Sequence, residues 1–279
     1  MYRDVHIGFF LIMKQLPSIS AQIDEKIMNK VIEKNFSYLA PYFYFLVNNW
    51  LIRAYKHYND IDKFIIIIYL INKDLIFFRK NGIKIDYDTF YKDKTLEVEK
   101  INISDISKDL QIPKESVRRK VLELEKKGVI KKAGKKIFVY RSAFYAAQAK
   151  NTLSELSTLL YEFNKILKKD KFVKDVFELS DITNSIKENF SFCWYQFYKF
   201  LFVYTNRWRA VVGDLETFCI GMLVVINAIH NKEFRPSKSN LNSYRKELMG
   251  SDARGVNALS ISEITGIPRP TVVRKLKYL

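Results

Sequence analysis

The strongest constraint on the fold is a repeat. Ile101–Leu124, INISDISKDLQIPKESVRRKVLEL, lies over Val256–Leu279, VNALSISEITGIPRPTVVRKLKYL, at an offset of 155 with nine identities in 24 positions. Asn102 matches Asn257, Ile106 and Ser107 match Ile261 and Ser262, and Ile112-Pro113 matches Ile267-Pro268. Val117, Arg119, Lys120 and Leu124 match Val272, Arg274, Lys275 and Leu279, while Ser116/Thr271 and Lys114/Arg269 are conservative pairs. The match runs upstream at offset 154. NFSY (35–38) lies over NFSF (189–192), Phe43-Tyr44 over Phe197-Tyr198, Arg53 over Arg207, and NDIDKF (59–64) over GDLETF (213–218). Similarity on this period implies one supersecondary unit used twice, a helical domain leading into a second helical motif.

Each downstream block reads as a helix, a break at Ile-Pro, and a second helix. Asn102 can cap the first helix, with Asp105 in its first turn to complement the exposed N–H groups. Ile103, Ile106 and Leu110 follow at helical spacing. Pro113 suits the first turn of the next helix, where its missing N–H costs nothing. Val117, Val121 and Leu124 form that helix's apolar stripe, and Lys114, Ser116, Arg118, Arg119 and Lys120 are assigned to its outward face. Gly128 supplies a stop. VIKKAGKKIFVY (129–140) then reads as a β-hairpin turning at Ala133–Gly134, with Lys131, Lys132, Lys135 and Lys136 around its tip.

Two short helices followed by a basic hairpin resemble the winged helix-turn-helix DNA-binding domain of MarR-like and IclR-like bacterial transcription regulators. The resemblance covers residues 101–140, which hold 11 basic and 5 acidic side chains. It implies that the helix starting near Pro113 enters the major groove while the hairpin, as a wing, rests on the backbone or in a minor groove. On that plan Arg118 reaches a guanine edge, with Lys114 and Ser116 near the helix start where base contacts fall. Arg119, Lys120 and the four hairpin lysines are assigned to phosphates. Arg269, Thr271, Arg274 and Lys275 are the matching positions of the second copy. There Val273 stands for Arg118 and Pro270 for Glu115, so the two copies are expected to read different bases. No EKKG stop or basic hairpin follows the second helix.

The expected fold is therefore mainly α: a tandem repeat of a helical domain plus winged helix-turn-helix, with a small β-hairpin wing in the first copy. The expected segments are 1–95 (first helical region), 96–142 (winged helix-turn-helix), 143–188 (helical connector), 189–250 (second helical region) and 251–279 (helix-turn-helix without wing). YFYFLVNNWLIRAY (42–55) and WYQFYKFLFVY (194–204) read as core between the halves. Asp60 and Asp214 are placed to cap the helices that follow them. Residues 143–169 favour a long helix that braces the halves, and the polar run 230–257 reads as loop-like.

Charge and chemistry narrow the function. The chain of 279 residues carries 47 Lys and Arg against 30 Asp and Glu, a net charge of +17. A surplus of this size favours polyanions as partners. The three histidines are scattered, Cys193 and Cys219 sit in apolar runs, and no Gly-rich phosphate loop or paired-acid signature occurs. Neither catalysis, a metal nor a cofactor is expected. FIIIIYLI (64–71) and FCIGMLVVI (218–226) are about half the length needed to span a bilayer, and IGFFLIM (7–13) lacks the flanks of a signal peptide, so the chain is expected to be cytoplasmic, without a membrane partner. The expected partner is double-stranded DNA, bound by a transcription regulator whose two helix-turn-helix units form a pseudo-dimer in one chain, or by a homodimer. A plasmid or phage replication initiator shares the two-winged-helix plan, and a helical protein–protein interaction module is the reading from another class.

Overall fold

A computed structural model describes residues 24–92, 95–99, 101–134, 136–140, 149–174, 176–230, 241–249 and 255–279. The expectations on residues 7–13 and on Lys135 lie outside these, as do residues 143–148 of the expected connecting helix and residues 231–240 and 250–254 of the polar run. The described residues form α1 (Glu25–Lys34), α2 (Phe36–Tyr58), α3 (Ile61–Lys80), α4 (Tyr87–Lys92), β1 (Thr95–Glu99), α5 (Ile103–Leu110), α6 (Lys114–Lys126), β2 (Ile130–Ala133) and β3 (Lys136–Tyr140). They continue with α7 (Ala149–Lys169), α8 (Leu179–Glu188), α9 (Phe190–Val212), α10 (Leu215–His230), α11 (Leu241–Met249), α12 (Ala258–Thr265) and α13 (Arg269–Leu276). The chain is mainly helical, with one small three-stranded antiparallel sheet in the order β1-β3-β2. Ile130 pairs with Val139 and Ala133 with Lys136, so the expected hairpin at 129–140 is present, and Gly134 turns it at φ +60°. β1, which pairs Thr95 with Tyr140, was not read from the sequence.

The helix starts are spaced as the repeat spaces the residues. Starts at 25, 36 and 61 recur at 179, 190 and 215, and those at 103 and 114 recur at 258 and 269. α2 and α9 are both 23 residues long. Each begins at an asparagine whose side-chain amide donates one turn back, Asn35 to Val31 O at 2.9 Å and Asn189 to Ser185 O at 2.7 Å. Each ends on a left-handed residue, Asn59 at φ +53° and Gly213 at φ +85°. A left-handed residue just past the last turn lets the chain reverse.

Apolar content explains the arrangement. The six residues Ile65–Leu70 of α3 are all buried, so this helix needs neighbours on every side. It has them in α2, α9, α5, α6 and the sheet. α10 is likewise surrounded by α2, α9, α12 and α13. The long aromatic helices cross between halves, α2 against α10 and α9 against α3. Phe43 of α2 meets Tyr204 of α9 edge-on at 5.4 Å, and Tyr69 of α3 meets Phe202 of α9 at 6.1 Å. One hydrophobic core therefore runs through both halves, from Leu46 to Val272. The aromatic stretches pack between halves as expected. α7 lies along α2 and α8 and ties to α2 through Arg53, whose guanidinium donates to Glu155 at 2.6 and 2.8 Å and to Thr152 at 3.0 Å.

Two local expectations need correction. The polar run 230–257 contains a helix, α11, whose Tyr244 is buried edge-on to Phe36 at 5.4 Å. Asn102 precedes α5 in extended backbone but makes no side-chain cap; the matching Asn257 does, accepting from Ser260 N at 2.9 Å.

Candidate nucleic-acid interface

The turns that launch α6 and α13 are built alike. Ser107 Oγ donates to Ile112 O at 2.7 Å, and Ser262 Oγ donates to Ile267 O at 2.7 Å. The residue before each Ile sits in the left-handed region, Gln111 at φ +52° and Gly266 at φ +78°. A side chain at 266 would also crowd Lys56 of α2, whose Cγ lies 3.3 Å from the Cβ position. Pro113 and Pro268 follow as helix N-caps, one residue earlier than the first-turn position expected, with φ/ψ of −53°/134° and −54°/134°. Val117, Val121 and Leu124 bury one face of α6, and Val272 buries the same face of α13.

Lys120 does not face outward. It is 8% exposed, and its ammonium donates to Asp60 and lies 3.7 Å from Asp62. The reason is periodicity. Position 120 falls three residues after Val117 and four before Leu124, so it lies on the core side of the helix. A long aliphatic stem crosses the apolar face and delivers the charge to two carboxylates. Lys275 behaves the same way: its side chain is 11% exposed and donates to Asp214 at 2.5 Å and to Thr217 Oγ1 at 3.0 Å. Both lysines, assigned to phosphates from sequence, instead bind the helix to the body of the protein. Their partners are the expected caps. Asp60 accepts from Lys63 N at 3.2 Å, and Asp214 from Thr217 N at 2.7 Å.

This makes a clamp of each half. The aspartate that starts the hydrophobic helix also holds the lysine of the helix lying across it. Burial works against the Asp214 carboxylate, but the bonds from Lys275 and Thr217 outweigh it and keep its pKa below the ordinary value. The first clamp is larger. Lys63 pairs with Glu123, lowering that carboxyl's pKa, and Arg209 from the second half donates to Asp62. Arg209 Nη1 also donates to Leu110 O at 3.2 Å, and Asn206 Nδ2 to Asp109 O at 2.9 Å, satisfying carbonyls left open at the C-terminus of α5. In return Glu216 of α10 accepts from Ile61 N at the start of α3, at 3.2 Å. Burial, then the nearby Asp62 and Asp60 carboxylates, push the Glu216 pKa up. Glu216, Arg209 and Asn206 went unnoticed in the sequence; the offset of 154 that pairs Glu216 with Asp62 was the available signal.

The remaining assigned residues lie on open faces. Lys114, Arg118 and Arg119 of α6 are exposed and Ser116 is half-buried; Arg269 and Arg274 of α13 are exposed and Thr271 is half-buried. Lys131 and Lys132 are exposed on β2. Lys136, also exposed, pairs with Glu97 across the sheet. Arg118 is not idle. Its Nε donates to Glu115 at 2.9 Å and its Nη2 to the same carboxylate, one turn earlier on the helix. The contact lowers the Glu115 pKa and raises that of Arg118. It is a two-bond contact through the side edge of the guanidinium, Nε and Nη2, and it does not use Nη1.

Among the described residues, no group of three or more His, Cys, Asp or Glu is placed to hold a metal ion. No single helix there is long and apolar enough to cross a membrane; α9 and α10 pass that test only as a pair bent by 92°. Comparison with protein-family models, with curated proteins and with solved structures returns no match.

Proposed function

We propose that this chain binds double-stranded DNA in a sequence-specific way, as a transcription regulator that acts by occupying its site. On this reading it is a tandem repeat in which α5–α6 and α12–α13 are helix-turn-helix units and the β1-β3-β2 sheet is the wing of the first. The observation that carries the reading is the pair of clamped helices. Each is tied by a lysine to the aspartate that caps a core helix, Lys120 buried and Lys275 half-buried, and each turns arginines outward: Arg118 and Arg119 on α6, Arg269 and Arg274 on α13. Holding a basic helix in one orientation is what groove readout requires, because base contacts depend on register. The net charge of +17 supplies the sequence-independent attraction.

The roles follow from exposure. Arg118, braced by Glu115, presents its end edge to guanine O6 and N7, with Lys114 and Ser116 beside it. Arg119, Lys131 and Lys132 meet phosphates, and Lys136 contributes less because Glu97 already neutralises it. One chain supplies both helices, so the site is an imperfect inverted repeat. The same proposal puts the protein in the cytoplasm with its DNA, without a cofactor or a catalytic step.

Selection of bound sequences from a random duplex pool is the test. The expected result is one site with two unequal halves. Arg118→Ala should weaken the selected site by about 1–3 kcal/mol, relax one base pair, and leave random duplex binding nearly unchanged. Equal losses on selected and random duplex would remove Arg118 from base readout. Failure to retain any duplex at low salt would overturn the proposal and favour a protein partner for these faces.

A further inference from the structure

The two clamps make the outward positions of α6 and α13 directly comparable. Arg118 stands five residues after Pro113, and Val273 stands five after Pro268. The two prolines share the same backbone angles, and Lys120 and Lys275, each seven residues after its proline, fix the rotation of the helix against an equivalent aspartate. Position 273 therefore takes on the second helix the place that Arg118 has on the first. Its side chain is apolar, and it is 37% exposed. Pro270, three residues earlier on the same face and also exposed, replaces the Glu115 that braces Arg118. The result is a small apolar patch, Pro270 with Val273, between the exposed guanidinium-bearing Arg269 and Arg274.

A patch of this kind has no hydrogen-bonding group to offer a base edge. In the major groove the one apolar feature is the C5-methyl of thymine. We infer that Val273, beside Pro270, receives a thymine methyl in the second half-site, at the position where the first half-site presents guanine to Arg118. Arg269 and Arg274 flank that contact with phosphate bonds. The inference rests on the DNA-binding reading above and goes beyond it, because it gives the two half-sites different chemistry: a polar two-bond contact in one and burial of a methyl in the other.

The test uses the full chain and the duplex selected from the random pool. Replacing the thymine under Val273 by uracil removes only the methyl. Wild-type protein should lose about fourfold in affinity, the effect of withdrawing one methyl from an apolar contact. Val273→Ala should lose a similar factor on the thymine duplex and be indifferent to uracil. Val273 is exposed and its neighbour Val272 carries the packing, so the variant should keep the wild-type unfolding temperature; that measurement accompanies the titration. A selected site with no thymine there, or an equal uracil effect in wild type and Val273→Ala, would overturn the inference while leaving DNA binding intact. A chain that retains no duplex would overturn both.

Discussion

Lys120→Met separates a clamp from a phosphate contact. Methionine keeps most of the aliphatic stem and removes the ammonium. Stripping one partner from a fully buried ion pair costs about 3–5 kcal/mol, because the other charge is left behind. Here the side chains are 10% exposed for Lys120, 19% for Asp60 and 21% for Asp62. Asp60 also keeps its bond from Lys63 N, and Asp62 keeps Arg209. Partial hydration and these remaining partners bring the expected loss down to about 2 kcal/mol. For a chain of this length that corresponds to a fall of about 4 °C in unfolding temperature. Differential scanning calorimetry reads the stability, and a salt titration of duplex binding reads the phosphate count. The expected outcome is the temperature fall with the slope of log affinity against log salt unchanged. A cycle with Asp60→Asn should show coupling of at least about 1 kcal/mol. An unfolding temperature within about 1 °C of wild type, together with a slope shallower by about 0.9, would place Lys120 on phosphate and refute the clamp.

Two further outcomes are expected. Lys131→Ala and Lys132→Ala should each flatten the salt slope by about one without changing which sequence is selected, and a change of selected sequence would contradict their assignment to the backbone. Glu216→Gln tests the junction of the halves through pH. The folded-state pKa of Glu216 is raised, so the carboxyl opposes folding once pH climbs above its unfolded value, whereas an amide still accepts from Ile61 N without that penalty. Wild type and Glu216→Gln should unfold at the same temperature near pH 4, and the variant at the higher temperature at pH 7; the reverse order at pH 7 would contradict the assignment.

Much of the fold was legible because its signals are periodic. The offsets of 154 and 155 anticipated the spacing of helix starts at 36 and 190, 61 and 215, 103 and 258, and 114 and 269. α1 and α8 keep the same spacing, yet their sequences, EKIMNKVIEK and LSDITNSIKE, share too little at matched positions to have been aligned. The hairpin was legible from the Ala133–Gly134 turn set between two short strand-like runs. β1 was not, because TLEVE is a five-residue strand whose partner, β3, lies about forty residues on, and strand pairing at a distance leaves no local trace. Lys120 and Lys275 were misplaced for a different reason. Lysine marks the surface in most sequences, so residue type outweighed helical phase, and phase was the better guide.

The misplaced lysines also explain how the halves depend on one another. Asp60 and Asp214 each do two jobs, ending a loop by capping a buried helix and orienting the helix that crosses it. Arg209 then connects the first clamp to α9, which belongs to the other half, while Glu216 connects the start of α10 to the start of α3. A shift of α9 therefore acts on Asp62 and on the end of α5 together, through Arg209 and Asn206. If α6 and α13 read DNA as proposed, their separation is set by this shared core and not by a linker, and duplexes with one or two base pairs inserted between the half-sites should lose the second half's contribution entirely. A sequence selected with variable spacing would mean that the halves move independently, and the ion pair from Arg209 to Asp62 and the bond from Ile61 to Glu216 would then have to break and re-form in solution.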